Sequence, residues 1–574
     1  MITFQQINWN KIWEEKMKSA SGVASWSGNG AERGLNRWNE AEFRPTRTGD
    51  DEYATKLIEK IYLNLNYSVL DIGCGSGILS IPIAKKVREV TALDVSQRIL
   101  EVLKKKALKN NINNINYLQG DWKIIKPDIN IPVHDVVMAS RCLGMFDLKD
   151  ELIKINNFAK KQAYITRIVE EQDIISPKIY ELLGREFQPL PNYYYIYNLL
   201  YQLGIKANIE FILVDDVEEK YNSIDHAINV WKWKLNKITK EEELTLRNFL
   251  EDNLIHTEEN QWSTGPINCK WALISWIPRN KINIGLDENK QKEITEPNWH
   301  DIWINLHNNY STKNINKNDF KKWNMFARHF NKGVLKDWNN KNSYINQLVN
   351  RIEADNQDIV LDLGCASGGI SIPIAKKVKS ITAIDISSEM ISYLNKNIRQ
   401  KNISNIKPIN AKWEDVVSKS NFPKHDIVIA SRCLSGPDLK EKLIKINSIA
   451  SKRVYFTWII KISNLQKAIY NVLNREFEQE PSYIYIFNLL QSLSINPAIS
   501  FIFCQNSENF VSIEDAIEYY EWILKGINNE EKEKLHHYFE KQYIRKGDRA
   551  IGSPPNLLSE WAWVVFEWEK RACI

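Results

Sequence analysis

The sequence predicts an α/β fold built twice, as two tandem domains in which parallel strands alternate with helices. Three observations carry this reading. Residues 69–96 read VLDIGCGSGILSIPIAKKVREVTALDVS and residues 360–387 read VLDLGCASGGISIPIAKKVKSITAIDIS, identical at 19 of 28 positions at a constant offset of 291. Each copy runs from a short apolar stretch through a glycine-rich turn and a helical stretch to a second apolar stretch closed by an aspartate. Further matches recur at offsets of 290 or 291. Asn8-Trp9 answers Asn298-Trp299, Arg185-Glu186-Phe187 answers Arg475-Glu476-Phe477, Asn198-Leu199-Leu200 answers Asn488-Leu489-Leu490, and Trp271 is paired with Trp561. Solenoid periods run only to roughly 50 residues, so this is a duplicated domain. The domains are placed at 1–280 and 296–574, joined by a polar, charged linker over 281–295 that lacks an apolar period.

Within the first copy, Val69-Leu70 ends an apolar run suited to a central parallel strand. Asp71-Ile72-Gly73-Cys74-Gly75-Ser76-Gly77 follows. Its alternate glycines permit positive φ and let backbone amides approach a ligand, and the next helix aims its N-terminal amides at the same place. Pro82 and Pro373 recur at one position, and proline is tolerated near a helix start, which puts that start at 79–81. Asp94 lies 23 residues after Asp71, at the end of the second strand, where a carboxylate accepts from both ribose hydroxyls. Loop and acid together indicate an adenosine-containing cofactor. The loop is GxGxG and not the GxGxxG of nicotinamide and flavin sites, and no GxxxxGK[ST] cradle occurs. Late strands are expected at 209–213 and 271–275.

Composition narrows the class. Hydrophobic residues make up 43% and charged residues 26%, as in folded globular protein. A net charge of +5 over 574 residues is too small to indicate a nucleic-acid partner. No apolar run reaches the roughly 18 residues of a membrane span, and the first residues carry no signal-peptide core. Seven cysteines without a CxxC or a histidine cluster suggest neither metal nor disulfides. The expected location is the cytoplasm.

These residues resemble the class I S-adenosylmethionine-dependent methyltransferases. The matched run is the Asp71–Gly77 loop, Asp94, Gly120-Asp121-Trp122 and the strand Asp135-Val136-Val137-Met138-Ala139, and it covers about 65–215 and 355–505. The resemblance implies a Rossmann-like, seven-stranded, mostly parallel sheet flanked by helices in each domain, with the last strand antiparallel. It implies S-adenosylmethionine as cofactor and no metal. By resemblance the loop of Asp71, Gly73, Gly75 and Gly77 meets the methionine end, Asp94 holds the ribose, and Asp121, beside Trp122, bonds the adenine amine. The second-half counterparts are Asp362, Gly364, Gly368, Asp385 and Trp413. Two positions depart from the pattern. Gly75 becomes Ala366, and Asp121 becomes Lys412, which cannot accept from an amine. Glu414, two residues on, is the available substitute. The second site is therefore expected to bind more weakly.

The acceptor is less legible. No catalytic residue can be named, because displacement at a sulfonium needs a base only for a protonated acceptor. The best substrate-side candidates follow the fourth strand: Ser140, Arg141 and Cys142, repeated as Ser431, Arg432 and Cys433. Either arginine could grip a carboxylate or phosphate, form an ion pair, or touch the cofactor's own carboxylate. The cysteines read better as small apolar fillers. His134 and His425 sit at the wrong end of that strand for catalysis. Asp147 and Asp438 read as helix N-caps. Arg185-Glu186 and Arg475-Glu476 read as surface pairs. The aromatic stretches holding Tyr195 and Tyr485 are expected between the fifth and sixth strands, where the family often lids its acceptor pocket; core packing is the competing reading. Trp9, Trp38, Trp299 and Trp323 mark a helical N-terminal cap on each domain.

The expected function is methyl transfer to a small-molecule acceptor by a duplicated, fused enzyme, acting in successive biosynthetic steps. The halves are expected to pack as an intrachain pseudo-dimer. Alternatives are a second half kept as scaffold, an RNA or protein methyltransferase, and a non-catalytic cofactor-responsive binding protein. The motif after the fourth strand, Ser-Arg-Cys-Leu and not Asn-Pro-Pro-Tyr, argues against nucleic-acid and protein acceptors.

Overall fold

A computed structural model describes residues 4–21, 46–143, 147–171, 175–235, 238–279, 297–311, 320–419, 421–461, 464–477, 480–506, 509–524, 526–545, 550–552 and 559–570. The proposed linker 281–295 and Trp38 lie outside them. The chain divides into two units, Met1–Glu296 and Pro297–Ile574.

In the first unit seven strands form the sheet: β1 Ser68–Ile72, β2 Glu89–Asp94, β3 Ile115–Gln119, β4 His134–Ser140, β5 Ala159–Glu171, β6 Asn208–Val217 and β7 Ile267–Trp276. Their order is β3-β2-β1-β4-β5-β7-β6. The pairs β1–β2, β1–β4, β2–β3 and β4–β5 are parallel, and β7 runs antiparallel between β5 and β6. Every residue of β1 is buried, as a strand covered on both faces requires. The order reverses between β1 and β4, and in open α/β sheets ligands bind beyond the strand C-termini at that point.

Helix α1, Trp9–Ser19, is capped by Asn8, whose side chain accepts from the Lys11 amide. Helix α2, Asp50–Lys60, precedes β1 and buries Tyr53 and Leu57 in the sheet's core. Helix α3 after the loop starts at Ser80 and is short, Ser80–Ala84, with Pro82 at its third position. Helix α4, Gln97–Lys109, is N-capped by Ser96. The aromatic stretch is helix α5, Tyr193–Gln202. Helices α6, Ile224–Leu235, and α7, Lys240–Asn253, lie between β6 and β7. Their apolar faces form a second small core with the helix Ile175–Leu182.

The second unit repeats this plan with β8 Ile359–Leu363, β9 Ser380–Asp385, β10 Ile406–Asn410, β11 His425–Ser431, β12 Ala450–Lys461, β13 Ala498–Asn506 and β14 Ser559–Glu569, in the order β10-β9-β8-β11-β12-β14-β13. Again only β14 is antiparallel to its neighbours. Its N-terminal block is helical: α8 Trp299–Ser311, α9 Phe320–Trp338 and α10 Tyr344–Val349. Helix α11, Ser371–Ile374, follows the loop, α12 is Tyr483–Ser492, and α13, Ile513–Ile523, with α14, Asn529–Gln542, make the small second core.

The strand register corrects one pairing. Trp271 sits opposite Ile212, and the buried equivalent of Ile212 at the 290 offset, Ile502, sits opposite Trp563. Trp271 therefore answers Trp563 and not Trp561.

Candidate active site

The two glycine loops have the same geometry. Gly73, Gly75 and Gly77 stand at φ +63°, +54° and +85°, and Gly364 and Gly368 at +63° and +88°. The loop is tied to the end of the second strand, since the Cys74 amide donates to the Leu93 carbonyl at 3.0 Å and the Cys365 amide to the Ile384 carbonyl at 3.0 Å. A Cβ on Gly73 would lie 2.6 Å from the Cys142 Cβ, and one on Gly364 2.5 Å from the Cys433 Cβ. Glycine is needed there because β4 and β11 deliver a side chain against the turn. At Gly75 a Cβ would meet no protein atom within 4 Å. The methyl of Ala366 is thus tolerated sterically, but at φ +48° it holds an L-residue in the left-handed region.

Asp94 is fixed by two amides, Gly75 N at 3.0 Å on Oδ2 and Ser96 N at 3.0 Å on Oδ1. Asp385 repeats this with Ala366 N and Ser387 N, both at 2.8 Å. Burial raises the Asp385 carboxyl above its ordinary value. Asp71 and Asp362 lie deeper, each accepting from a serine of the following helix, Ser80 and Ser371, at 2.5 Å. Burial pushes both up to about 7, against those serine bonds; the neighbouring Asp94 or Asp385 adds to the rise. They brace the loop from beneath.

Around the expected adenine end, the halves carry opposite charges. The buried indole of Trp122 donates to Glu151, and Asp121 accepts from the Lys123 amide at 2.9 Å. At the 291 offset Asp121, Lys123 and Glu151 become Lys412, Glu414 and Lys442. Lys442 lies 3.8 Å from Glu414, so the substitute proposed for Asp121 has a cation of its own. Lys154 and Lys445 are retained and both donate to backbone, to the Trp122 carbonyl and to the Glu414 carbonyl.

At the ends of the fourth and fifth strands, sequence reasoning missed half of the arrangement. Ser140 is joined to Tyr53 at 2.8 Å and to Thr166 at 3.0 Å, and Tyr53 to Thr166 at 2.6 Å. Tyr344 makes the same bonds to Ser431 and Thr457, both at 2.7 Å. Both partners recur at the 291 offset, which is the signal that could have found them. Arg141 pairs with Asp50 at 2.8 Å and covers the Tyr53 ring at 4.6 Å. Arg432 covers the Tyr344 ring at 4.3 Å, and its charge acts on Asp337. Cys142 donates to the Ile72 carbonyl at 3.1 Å, and burial raises both it and Cys433 well above an ordinary thiol. They pack as fillers.

Tyr195 and Tyr485 stand beside the N-terminal helices. Both lie on the aromatic helices α5 and α12, each 6.4 Å from a tryptophan that opens an N-terminal helix, Trp9 or Trp299. Tyr485 lines no part of the second half's cavity. Neighbouring rings at helical spacing, Tyr193 and Tyr197, are buried, so core packing decides the orientation of this helix. His134 bonds Thr91 at 2.8 Å and the Pro132 carbonyl at 2.7 Å, a structural role. Asp147 caps its helix through the Asp150 amide, whereas Asp438 makes no cap bond and pairs with Lys442 at 3.0 Å. Arg185 and Arg475 pair with Glu242 and Glu531 of the later helices, at 2.8 Å and 2.7 Å, and not with the adjacent glutamates.

In the second half one cavity of about 1200 Å³ joins the loop to the acceptor side. Asp362, Ala366, Asp385 and Trp413 line one end; Trp323, Phe326, Asp515 and Trp522 line the other. Its aromatic wall therefore comes from α9 and α13. Loop, carboxylates and cavity fit an adenosine-bearing cofactor with a second molecule beside it.

Family models described as a methyltransferase domain match residues 69–159 and 354–542. A probable cobalt-precorrin-6B C(15)-methyltransferase (decarboxylating) of Methanocaldococcus jannaschii is 32% identical over 131 residues, covering 22% of this chain and 68% of that protein. The chain belongs to the S-adenosylmethionine-dependent methyltransferases. As a tandem class I methyltransferase it takes S-adenosylmethionine as its cofactor. A Haemophilus influenzae protein of uncharacterized activity is also similar to this methyltransferase, 30% identical over 227 residues, covering 39% of this chain and 81% of that protein.

Proposed function

We propose that each half transfers a methyl group to a small-molecule acceptor and that the two units act in succession. The second-half cavity carries the reading: at about 1200 Å³, with an aromatic wall, it suits cofactor and a small acceptor together. The M. jannaschii relative, named as a cobalt-precorrin-6B methyltransferase, supports a small-molecule acceptor as well.

Bound S-adenosylmethionine supplies an electrophilic methyl group. The residues of this chain bind and orient. In this reading Asp94 and Asp385 exchange their amide bonds in part for ribose hydroxyls. Gly73, Gly75 and Gly77, with Gly364 and Gly368, let the chain pass close to the methionine end, and Asp71 and Asp362 hold the turns from beneath. Asp121 accepts from adenine beside Trp122; Trp413 marks the same place in the second half. The Tyr53–Ser140–Thr166 and Tyr344–Ser431–Thr457 networks fix the edge of the acceptor opening, and Arg141 and Arg432 cover them. Transfer is an in-line displacement, so holding two reactants in line supplies much of the acceleration.

Domain limits at 1–280 and 296–574, packing of the halves as an intrachain pseudo-dimer and a cytoplasmic location belong to the same proposal. Among the described residues the cysteines are free, which suits a reducing compartment. The test is turnover: the full chain, S-adenosylmethionine and a fractionated metabolite extract, with mass spectrometry following S-adenosylhomocysteine and the gain of a methyl group by one compound. Methylation confined to RNA or protein would refute the reading.

A further inference from the structure

Among the described residues, Arg167 of the first half is a buried cation without a carboxylate partner. Arg167 lies on β5, one residue beyond Thr166 of the Tyr53–Ser140–Thr166 network. Its side chain is buried, its guanidinium 5.1 Å from the Trp13 ring. It donates from Nε to the Pro191 carbonyl at 2.9 Å and from Nη1 to the Leu143 carbonyl at 2.7 Å, with the Met17 sulfur 4.0 Å from Nη2. Among the described residues no acid lies within ion-pair distance of it. Burial lowers its pKa to about 10, so it stays charged at neutral pH. Three other basic groups of this half are matched, Arg141 with Asp50, Lys232 with Glu243 and Lys234 with Glu219. Burying a guanidinium without a counter-charge is unfavourable.

The duplication supplies an internal control. At the 291 offset Arg167 becomes Trp458. The Trp458 indole donates to the Pro481 carbonyl at 3.0 Å, and Pro481 answers Pro191. A neutral ring therefore does the structural work of reaching that carbonyl. What Arg167 adds is charge, at a position that lines the acceptor cavity in the second half. The helix between the sixth and seventh strands differs in the same sense. His226 and Lys234 of α6 stand where α13 has Asp515 and Ile523, and both of these line the cavity.

We propose that Arg167 makes the first half selective for an acceptor bearing a carboxylate or phosphate, and that the second half, with Trp458 there, takes an acceptor group without that anion. The two successive steps would then recognise chemically different acceptor groups. This rests on the small-molecule reading above. The guanidinium would turn its unused N–H groups to the anion, in charge-assisted bonds that desolvation strengthens.

The experiment uses the full chain saturated with S-adenosylhomocysteine and titrated with benzoate and with phenyl phosphate, followed by ligand-observed NMR. One saturable anion site is expected. Arg167→Trp, the residue the second half carries, should weaken it about tenfold to hundredfold, and Arg167→Gln, which keeps a donor for the Pro191 carbonyl, should do the same. Arg167→Lys should retain part of the binding. Affinity for S-adenosylhomocysteine should be unchanged in all three. Anion binding that survives both Arg167→Trp and Arg167→Gln, or its absence in the wild type, overturns the inference. A fall in S-adenosylhomocysteine affinity overturns it as well, by assigning Arg167 to the cofactor's own carboxylate. None of these outcomes touches the small-molecule reading, which fails separately if turnover is found only on macromolecules.

Discussion

The Asp385 carboxylate accepts from the Ala366 amide at 2.8 Å, in a loop where Ala366 is held at φ +48°. The second half keeps the acid-to-loop bond of the first although its residue is poorly suited to that backbone. The left-handed region costs an L-residue roughly 1–2 kcal/mol, and glycine's extra unfolded-state entropy offsets part of that. Ala366→Gly should therefore stabilise the second half slightly, by about 0.5–1 kcal/mol, and Gly75→Ala should destabilise the first by a similar amount. Urea unfolding of each variant measures this. A destabilised Ala366→Gly would mean that the methyl makes a contact of its own.

Much of the site was legible because the loop is local. Asp71 to Asp94 is a single strand–turn–helix–strand unit, and each of its side chains lands where its spacing puts it. The Tyr53–Ser140–Thr166 network was not legible, because its members come from a helix and two strands separated by 87 and 26 residues. Only the repeat could have flagged Tyr53 and Thr166. Trp271 was matched to Trp561 because Trp561 and Trp563 lie two apart on one strand and so share a face; identity alone could not choose the register. For the aromatic helices the sequence left two readings open, because a lid and a buried helical face share one composition; Tyr193 and Tyr197 are buried, whereas Tyr195 and Tyr485 are half-buried. The charge inversion from Asp121, Lys123 and Glu151 to Lys412, Glu414 and Lys442 was seen only at its first position, since Glu151 meets Trp122 across the fold.

Buried Asp71 and Asp362 give a pH dependence of definite sign. Their folded pKa values, about 7, stand above the ordinary 3.8. A raised carboxyl favours the folded state at low pH, and that contribution is lost as pH rises from about 4 through about 7. Ligand-free protein should therefore show a more negative slope of stability against pH over this window than Asp71→Asn/Asp362→Asn. Urea midpoints at pH 5 and pH 7.5 give the comparison. Parallel profiles for the two proteins would contradict it.

Cys142 and Cys433 pack against glycines, and burial keeps their thiols protonated. Cys142→Ala and Cys433→Ala should each leave methyl transfer within about twofold of wild type, a difference of under roughly 0.5 kcal/mol. A larger loss of kcat with the cofactor affinity unchanged would restore them as reactive groups.

Lys412 and Lys442 stand where the first half has Asp121 and Glu151, and Glu414 is drawn toward Lys442. A lost neutral-partner hydrogen bond is worth roughly 0.5–1.5 kcal/mol, so the first half should bind S-adenosylhomocysteine about three- to tenfold more tightly. Calorimetry on the full chain carrying Asp94→Ala or Asp385→Ala isolates one site at a time. Equal affinities would show that Glu414 replaces Asp121 despite its pairing.

The central claim is that both halves hold the cofactor through Asp94 and Asp385. Native mass spectrometry of the full chain with S-adenosylhomocysteine tests it most directly. The account predicts two molecules bound per wild-type chain, one in Asp94→Ala, one in Asp385→Ala and none in the double variant at concentrations that saturate the wild type. A wild-type chain that binds only one molecule, or a double variant that still binds two, would contradict it.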